Sequence, residues 1–329
     1  MTGVLVSHYC NARFGNDLIA AARRVGVEPE LLVLPPAPEA RMDDAIAARA
    51  EAAYFSGDVF PEFSKQFFSA TRKAPGLKWL HVFNAGVDHP VFGTILERGV
   101  RLTTSSGSTA EPIAQTAITG LLMLARNFPR WLAGQRNHKW DPMRSADFPR
   151  DLRGQVMLVY GLGKIGTEIA RLARVLGLYV IGVRRNAIKT GHVDEIHAPD
   201  ELPGLLPKSD WLVLACPLTD ETRGIVNATL LAKLPRGARV INISRGEVVD
   251  EPALIAALQS GRLGGAYLDV FAQEPLPADS PLWDLPNVVV TPHNSSASAG
   301  NEARVNAIFL DNLRRWKHNQ PLVNEVTGI

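Results

Sequence analysis

The run Val156-Met-Leu-Val-Tyr-Gly161-Leu-Gly163-Lys-Ile-Gly166 constrains this chain more than any other segment, because an apolar stretch stops at three glycines spaced G-x-G-x-x-G. The residues that follow, Thr167 to Gly177, carry apolar side chains at helical spacing. The pattern reads as strand, tight turn and helix. Gly161 permits the turn, Gly163 lets the backbone approach a pyrophosphate, and Gly166 lets the helix lie close on the strand. The positive end of that helix, with Lys164 and Ile165 in its first turn, then receives the phosphates. Three glycines alone suit an ordinary surface turn equally well. Here a second apolar strand, Leu178 to Val183, follows at the spacing of a βαβ unit, which points to a dinucleotide.

The residues that end the second strand bear on which dinucleotide. A carboxylate there accepts hydrogen bonds from the ribose hydroxyls of NAD and repels the extra phosphate of NADP. This chain has Val183-Arg184-Arg185-Asn186 instead. Two guanidiniums make fork-shaped, charge-assisted contacts with a phosphate, and Arg184 can stack on the adenine. NADP is therefore expected as the preferred cofactor, with NAD possible. The plain alternative is a pair of solvated arginines on a loop.

At 329 residues the chain exceeds one comfortable hydrophobic core, so two domains are expected. Its net charge of +2, with lysines and arginines scattered among carboxylates, offers no basic stripe for nucleic acid. The two cysteines, Cys10 and Cys216, stand far apart with no other metal-ligand spacing, so a disulfide framework and a metal site are not indicated and both are read as reduced. The N-terminus enters a short strand with no basic n-region or long apolar segment, and no run reaches membrane-spanning length. A cytoplasmic protein with no membrane or nucleic-acid partner is expected.

Strands and helices alternate before the glycine loop as well as after it. Val4 to His8, Glu30 to Leu34, Ala52 to Ser56, Leu77 to Phe83 and Val100 to Thr104 read as buried parallel strands, with helices at Asn16 to Val25 and Pro61 to Lys73. A long helix is expected from Ala110 to Arg126. Beyond the loop, strands recur at Trp211 to Ala215, Arg239 to Ile243, Gly265 to Asp269 and Asn287 to Thr291. The last helical run, Ala299 to His318, could return to the first domain. The expected division is 1–103 with 295–329 as a discontinuous substrate domain, and 104–294 as the dinucleotide domain.

Three polar residues stand at strand ends of the second half, where open α/β sheets place ligands: Arg245, Glu274 and His293. Reducing a 2-oxo acid needs a forked cation to hold carboxylate and carbonyl, and an acid to protonate the oxygen as hydride arrives. Arg supplies the first and His the second, while a carboxylate beside the imidazole fixes its tautomer and favours its protonated form. Singly, each has a plain reading as a surface Arg, a Glu before Pro and a core His.

Together these segments resemble the D-2-hydroxyacid dehydrogenase family across nearly the whole chain. Gly161 to Gly166 looks like its cofactor loop, Pro217-Leu-Thr-Asp-Glu-Thr222 to Asn227 like its second cofactor loop, and Ile243-Ser-Arg-Gly-Glu-Val-Val-Asp250 like its arginine motif. Leu268 to Pro275 and Thr291-Pro-His293 resemble the motifs that carry its Glu and His. The resemblance implies that Arg245 binds substrate and that Glu274 and His293 form the acid–base pair. It places Asp269 near the nicotinamide carboxamide, and Pro217, Thr222 and Ile243 on the cofactor. Asn84, Ala85, Gly86 and Val87, in the motif that ends at Asp88, would offer backbone N–H groups to the substrate carboxylate. The implied fold is α/β, with two doubly wound parallel-sheet domains, a Rossmann cofactor domain and a flavodoxin-like substrate domain, around an interdomain cleft.

Two departures stand out. The family commonly has an acid where Arg184 stands, so the resemblance is to its NADP-preferring glyoxylate/hydroxypyruvate reductase branch. Ile113-Ala-Gln115-Thr116 replaces the more usual Val-Ala-Glu-His in the long helix. Asn127 to Arg150, with Trp131 and Trp140, resembles the family's dimerisation arm and implies a homodimer. The expected reaction is hydride transfer between NADP(H) and a small 2-oxo or 2-hydroxy monocarboxylic acid, since no extra basic cluster accompanies the motifs. Phe55, Phe83 and Trp283 either line a pocket for a bulkier substrate or belong to the core. The alternatives are a dinucleotide-sensing binding protein of the corepressor type and a phosphoglycerate-type dehydrogenase. For the latter, the stretch ending at Ile329 leaves no room for the regulatory domain it is expected to carry. Formate dehydrogenase fits less well, because that relative carries Gln in place of Glu274.

Overall fold

The computed structural model describes residues 2–87, 89–186 and 191–327. The chain forms two compact units, residues 1–108 with 299–329, and residues 109–298. The first division falls after Ser108 rather than after 103 because Ser105 still belongs to the first sheet, its N–H donating to the carbonyls of Val82 and Asn84 at 3.0 and 3.1 Å. Arg304 Nε then donates to the Ser108 carbonyl at 2.5 Å, tying that residue to the C-terminal helix.

In the first unit a five-stranded parallel sheet runs β2-β1-β3-β4-β5. Its strands are β1 (Thr2–Val6), β2 (Pro29–Val33), β3 (Ala50–Phe55), β4 (Trp79–Val82) and β5 (Arg101–Thr104). Between them lie α1 (His8–Arg24), α2 (Asp44–Ala47), α3 (Ser64–Arg72) and α4 (Pro90–Glu97). The first strand ends two residues earlier, and the first helix starts earlier and runs longer, than the apolar pattern suggests. Ser7 is the reason: its hydroxyl accepts the Cys10 N–H at 2.8 Å and starts the helix at His8. Both faces of the sheet are covered. Phe55, Phe67 and Phe68 pack on one, with ring centroids 5.1 Å from Phe55 to each partner. On the other, Phe309 of the C-terminal helix Asn301–Lys317 stacks on Tyr54 and Trp79 at 4.4 and 5.2 Å. That stacking returns the chain's last helix to its first domain.

A directed chain of hydrogen bonds crosses β4 and β5. The Trp79 indole can only donate, and it donates to Thr103 Oγ1 at 2.8 Å. The Thr103 hydroxyl then donates to His81 Nδ1 at 2.8 Å, and His81 Nε2–H to Ser105 Oγ at 2.9 Å. Ser105 completes the relay by donating to the Val82 carbonyl at 3.1 Å. His81 is fully buried and therefore neutral, its pKa driven down to about 3 by desolvation.

The second unit opens with α5 (Ala110–Ala125) and α6 (Phe128–Arg136). Its sheet comprises β6 (Val156–Tyr160), β7 (Tyr179–Val183), β8 (Glu195–His197), β9 (Trp211–Leu214), β10 (Arg239–Asn242), β11 (Gly265–Leu268) and β12 (Val288–Val290). Helices α7 (Lys164–Val175), α8 (Leu202–Leu205), α9 (Ala228–Leu231) and α10 (Glu251–Gln259) connect them. The order β12-β11-β10-β9-β6-β7-β8 is parallel throughout. The chain leaves β6 toward β7 and later returns toward β9, so the sheet reverses direction between β6 and β9, the place where such sheets open a ligand crevice. Strand β8 is an addition to the sequence reading, having only three residues of which two are polar. It is held by register with β7 and by the Val180 N–H donating to Asp194 Oδ2 at 2.8 Å. Helix α5 lies on this sheet because Gly120 has no side chain: a Cβ there would stand 2.3 Å from Tyr267 Cγ.

Candidate active site

The glycine loop occupies the reversal point. Gly161 has φ +105° and donates its N–H to the Val183 carbonyl at 2.9 Å, while any Cβ would come within 2.5 Å of Cys216 N on the neighbouring strand end. A Cβ on Gly166 would meet the Gly161 carbonyl oxygen at 1.9 Å, so the third glycine sets how closely α7 approaches β6. Gly163, the N-cap of α7, has nothing within 4 Å of a built Cβ, leaving the uncapped helix start facing open space. These residues fit a dinucleotide, since the backbone of Gly163, Lys164, Ile165 and Gly166 presents the positive helix end there. Beside it lies a cavity of about 580 Å³ walled by Gly161, Gly163, Arg184, Arg185, Pro217 and Thr222.

Arg184 is fixed through its backbone, whose N–H donates to the His197 carbonyl of β8 at 3.1 Å. Arg185 reaches across to Glu221, with Nη2 2.6 Å from Oε2. The second loop is rigid: Thr222 Oγ1 donates to the Pro217 carbonyl at 2.7 Å and accepts the Thr219 N–H at 2.8 Å. Cys216 is a free, buried thiol whose pKa burial pushes up to about 11, so it stays protonated. Cys10, free and buried in the first unit, is raised to about 12 by burial.

At the ends of β10, β11 and β12 stand the other three candidates. Ile243 is buried just after β10, and Arg245 follows with extended backbone, half-buried, its Nη1 donating to the Ser244 carbonyl at 2.8 Å. Gly246 has to be glycine, because a Cβ would lie 1.8 Å from the Phe271 carbonyl carbon. That close approach seats the arginine loop against the segment carrying Glu274. Glu274 is held from behind by the Phe271 N–H on Oε1 at 3.0 Å, leaving Oε2 to meet His293 Nδ1 at 2.7 Å. His293 Nε2 makes no hydrogen bond among the described residues and half of the ring is exposed. With Nδ1–H committed to the carboxylate, Nε2 is the nitrogen that can exchange a proton outward.

The backbone places that imidazole. His293 has φ +50°, and its N–H donates to the carbonyls of Asp269 and Thr291 at 2.8 and 3.0 Å. Asp269 is fully buried, and its carboxylate accepts Thr291 Oγ1 at 2.6 Å together with the N–H groups of Asn294 and Ser295. Tyr267 Oη touches the same threonine hydroxyl at 2.7 Å. Thr291 and Tyr267 are thus supports that the sequence reading did not single out. Thr116, part of the departure in the long helix, donates to Pro112 and lies 3.4 Å from the Ser295 carbonyl, within the same support.

In the first unit, Asn84 to Val87 leave β4 in a bend. Asn84 and Gly86 are half-buried, Ala85 is exposed, and the Asn84 amide donates to the Gly86 carbonyl. Asp88, which ends that motif, lies outside the described residues. Phe55 belongs to the core at 3% exposure, whereas Phe83 is half-buried with its ring 6.4 Å from exposed Phe60. Trp283 is half exposed, with its indole donating to the Pro277 carbonyl at 2.8 Å. Among the described residues no group of three or more His, Cys, Asp or Glu is arranged to hold a metal ion, and no helix is long and apolar enough to cross a membrane.

Comparison with known proteins follows the same lines. Residues 118–295, more than half of the chain, match the family described as D-isomer specific 2-hydroxyacid dehydrogenase, NAD binding domain. A glyoxylate reductase of Korarchaeum cryptofilum is 34% identical over 254 residues, covering 75% of each chain. A D-isomer specific 2-hydroxyacid dehydrogenase from Xanthobacter autotrophicus, solved with NADPH and MES, superposes with a TM-score of 0.76 at 32% identity, covering 99% of this chain and 97% of that one. An NADPH-dependent glyoxylate/hydroxypyruvate reductase from Sinorhizobium meliloti, solved with NADP and sulfate, gives 0.74 at 28% identity over 99% and 98% of the two chains. The chain belongs to the D-isomer-specific 2-hydroxyacid dehydrogenases and is an NAD(P)-dependent oxidoreductase.

Proposed function

We propose that this enzyme reduces a small 2-oxo monocarboxylic acid with NADPH in preference to NADH, with glyoxylate and hydroxypyruvate as the leading substrates. The observation that carries the reading is the pair Arg184 and Arg185 on the cavity wall, at the end of β7 where a carboxylate would receive the ribose of NAD. Relatives solved with NADPH or NADP support it. The bound nicotinamide supplies hydride to the 2-carbon of the acid. Gly161, Gly163, Lys164, Ile165 and Gly166 would hold the pyrophosphate, Pro217, Thr222 and Ile243 the adjoining walls, and Asp269 the carboxamide.

Arg245 grips carboxylate and carbonyl oxygen together, and in the first unit Asn84, Ala85, Gly86 and Val87 carry the backbone N–H groups proposed for carboxylate binding. As the carbonyl becomes an alkoxide, His293 gives it the proton from Nε2. Glu274, already on Nδ1, keeps the ring oriented with Nε2 outward. The Asn84 to Val87 stretch has no basic side chain for a second carboxylate or a phosphate, which favours monoanions. A cytoplasmic homodimer is part of the reading, and the exposed Phe128, Trp131, Trp140 and Phe148 support its dimeric part.

The test is a matrix of steady-state rates with NADPH and NADH against glyoxylate, hydroxypyruvate, oxaloacetate and phosphohydroxypyruvate. A charge-assisted contact to the extra phosphate is worth about 1.5–3 kcal/mol, so NADPH should lead by about ten- to a hundredfold in kcat/KM. Equal or reversed cofactor values remove the phosphate role from the arginines. A dianionic acid with the highest kcat/KM overturns the substrate assignment.

A further inference from the structure

The two arginines on the cofactor cavity are not equivalent. Arg184 has no ion pair among the described residues, whereas Arg185 is committed to Glu221 at 2.6 Å, both side chains about three-quarters exposed. Both residues of that pair line the cavity. The carboxylate comes from the loop after β9, and that loop cannot easily take it elsewhere. Thr222 ties the turn through its hydroxyl, the Arg223 N–H donates to the Thr219 carbonyl at 2.9 Å, and the Gly224 N–H to the Glu247 carbonyl at 2.7 Å. Glu221 therefore stays beside the cavity whichever way Arg185 turns.

We infer that Glu221 is a cofactor-specificity residue that restrains the preference for NADPH by holding Arg185 and by keeping a negative charge beside the 2′-phosphate position. A 2′-phosphate has to take the guanidinium fork away from Glu221 and then lie near the carboxylate left behind. A ribose 2′-hydroxyl carries no charge, can donate to a carboxylate, and leaves the ion pair intact. The acid that NAD-binding folds place at the end of the second strand is thus supplied here from another loop, opposite the arginines. The outcome is a relaxed preference in which NADH remains usable. This inference rests on the proposed role of the arginines in phosphate binding.

Binding is measured by calorimetry with 2′,5′-ADP and 5′-AMP, which probe the adenosine end alone. An exposed ion pair of this kind shifts an equilibrium by about two- to fivefold, and the remaining repulsion adds to it, so Glu221→Gln should tighten 2′,5′-ADP by about two- to tenfold. Its 5′-AMP affinity should stay within about twofold. In an Arg185→Ala background the gain should largely vanish. Equal changes for both ligands, no change for 2′,5′-ADP, or a gain that persists in full without Arg185 each overturn the inference. Its failure is distinct from that of the underlying reading. A parent enzyme with no preference for 2′,5′-ADP that Glu221→Gln leaves unchanged sinks the phosphate role of the arginines, whereas a parent that prefers 2′,5′-ADP with an affinity unchanged by Glu221→Gln sinks the restraint alone. Glu221→Ala serves as the second variant, with thermal melting to show that both remain folded.

Discussion

Acid should unfold the first unit by protonating His81, and the geometry sets the size of the effect. The relay from Trp79 through Thr103 to His81 Nδ1 leaves that nitrogen as an acceptor. A proton there would force the Thr103 oxygen to accept from both Trp79 and His81 while its own hydrogen lost its acceptor. Consistent with that, burial lowers the pKa from its ordinary 6.5 to about 3. The sign follows from linkage: above 6.5 the group is neutral in both folded and unfolded chains and contributes nothing. Below 6.5 the unfolded chain takes up a proton that the folded one refuses, so stability falls as pH drops from 6.5 toward 3. The slope is about 1.4 kcal/mol per pH unit, giving a loss of about 2 kcal/mol by pH 5 and about 5 kcal/mol at the end of the window. His197 of the second unit runs the other way. Hydrogen bonds to Glu195 and Glu201 raise its pKa, so its contribution is present below 6.5 and fades as pH rises through the raised value. Urea titrations from pH 7.5 to 5 measure the combined effect, and NMR of selectively labelled histidines isolates His81. Its resonance, assigned with His81→Gln, should not titrate above about pH 4 in the folded protein. A folded-state midpoint near 6.5 would refute the relay and the neutral tautomer it imposes.

Other perturbations bear on the site itself. His293→Ala should lower kcat by about two to four orders of magnitude while NADPH affinity changes little, checked by turnover together with fluorescence titration of the cofactor. Arg245→Lys keeps the charge but not the fork, so kcat/KM should remain strongly impaired; a near-parental value would reduce Arg245 to a general electrostatic role. Gly166→Ala puts a Cβ 1.9 Å from the Gly161 carbonyl and should abolish measurable NADPH binding, with a folded protein and unchanged affinity as the contrary result. Thr291→Val removes the hydroxyl that donates to buried Asp269 and should weaken cofactor binding by about tenfold, with Thr291→Ser restoring most of it.

Glycine shows where sequence reading succeeds and where it stops. Gly166 is legible because its partner, the Gly161 carbonyl, lies within the same strand, turn and helix, and Gly161 and Gly163 are legible because they share that G-x-G-x-x-G spacing, although the Cys216 backbone that crowds Gly161 comes from another strand. Gly120, Gly182 and Gly246 are as tightly required, but their partners are Tyr267, Leu162 and Phe271. Nothing in the local pattern marks those contacts, since each depends on how distant elements pack. Strand β8 escaped for the opposite reason, being too short and polar to show a period and existing only because β7 offers it an edge. The start of α1 was legible in principle from Ser7, whose hydroxyl caps the helix, but apolar continuity through Val4 to Val6 masks it.

The same distinction separates the reactive groups from their supports. Arg245, Glu274 and His293 end strands in recognisable motifs, and the structure brings Glu274 onto His293 as the chemistry requires. What holds the histidine in place is drawn from elsewhere. Its φ of +50° is stabilised by its N–H on the Asp269 carbonyl, Asp269 is fixed by Thr291 and by the N–H groups of Asn294 and Ser295, and Tyr267 closes the network against the glycine of α5. A left-handed backbone at a non-glycine residue is costly and persists only where its surroundings over-determine it. Three elements converge on one imidazole here, so the supporting side chains constrain the proposed proton donor as firmly as the motif that names it.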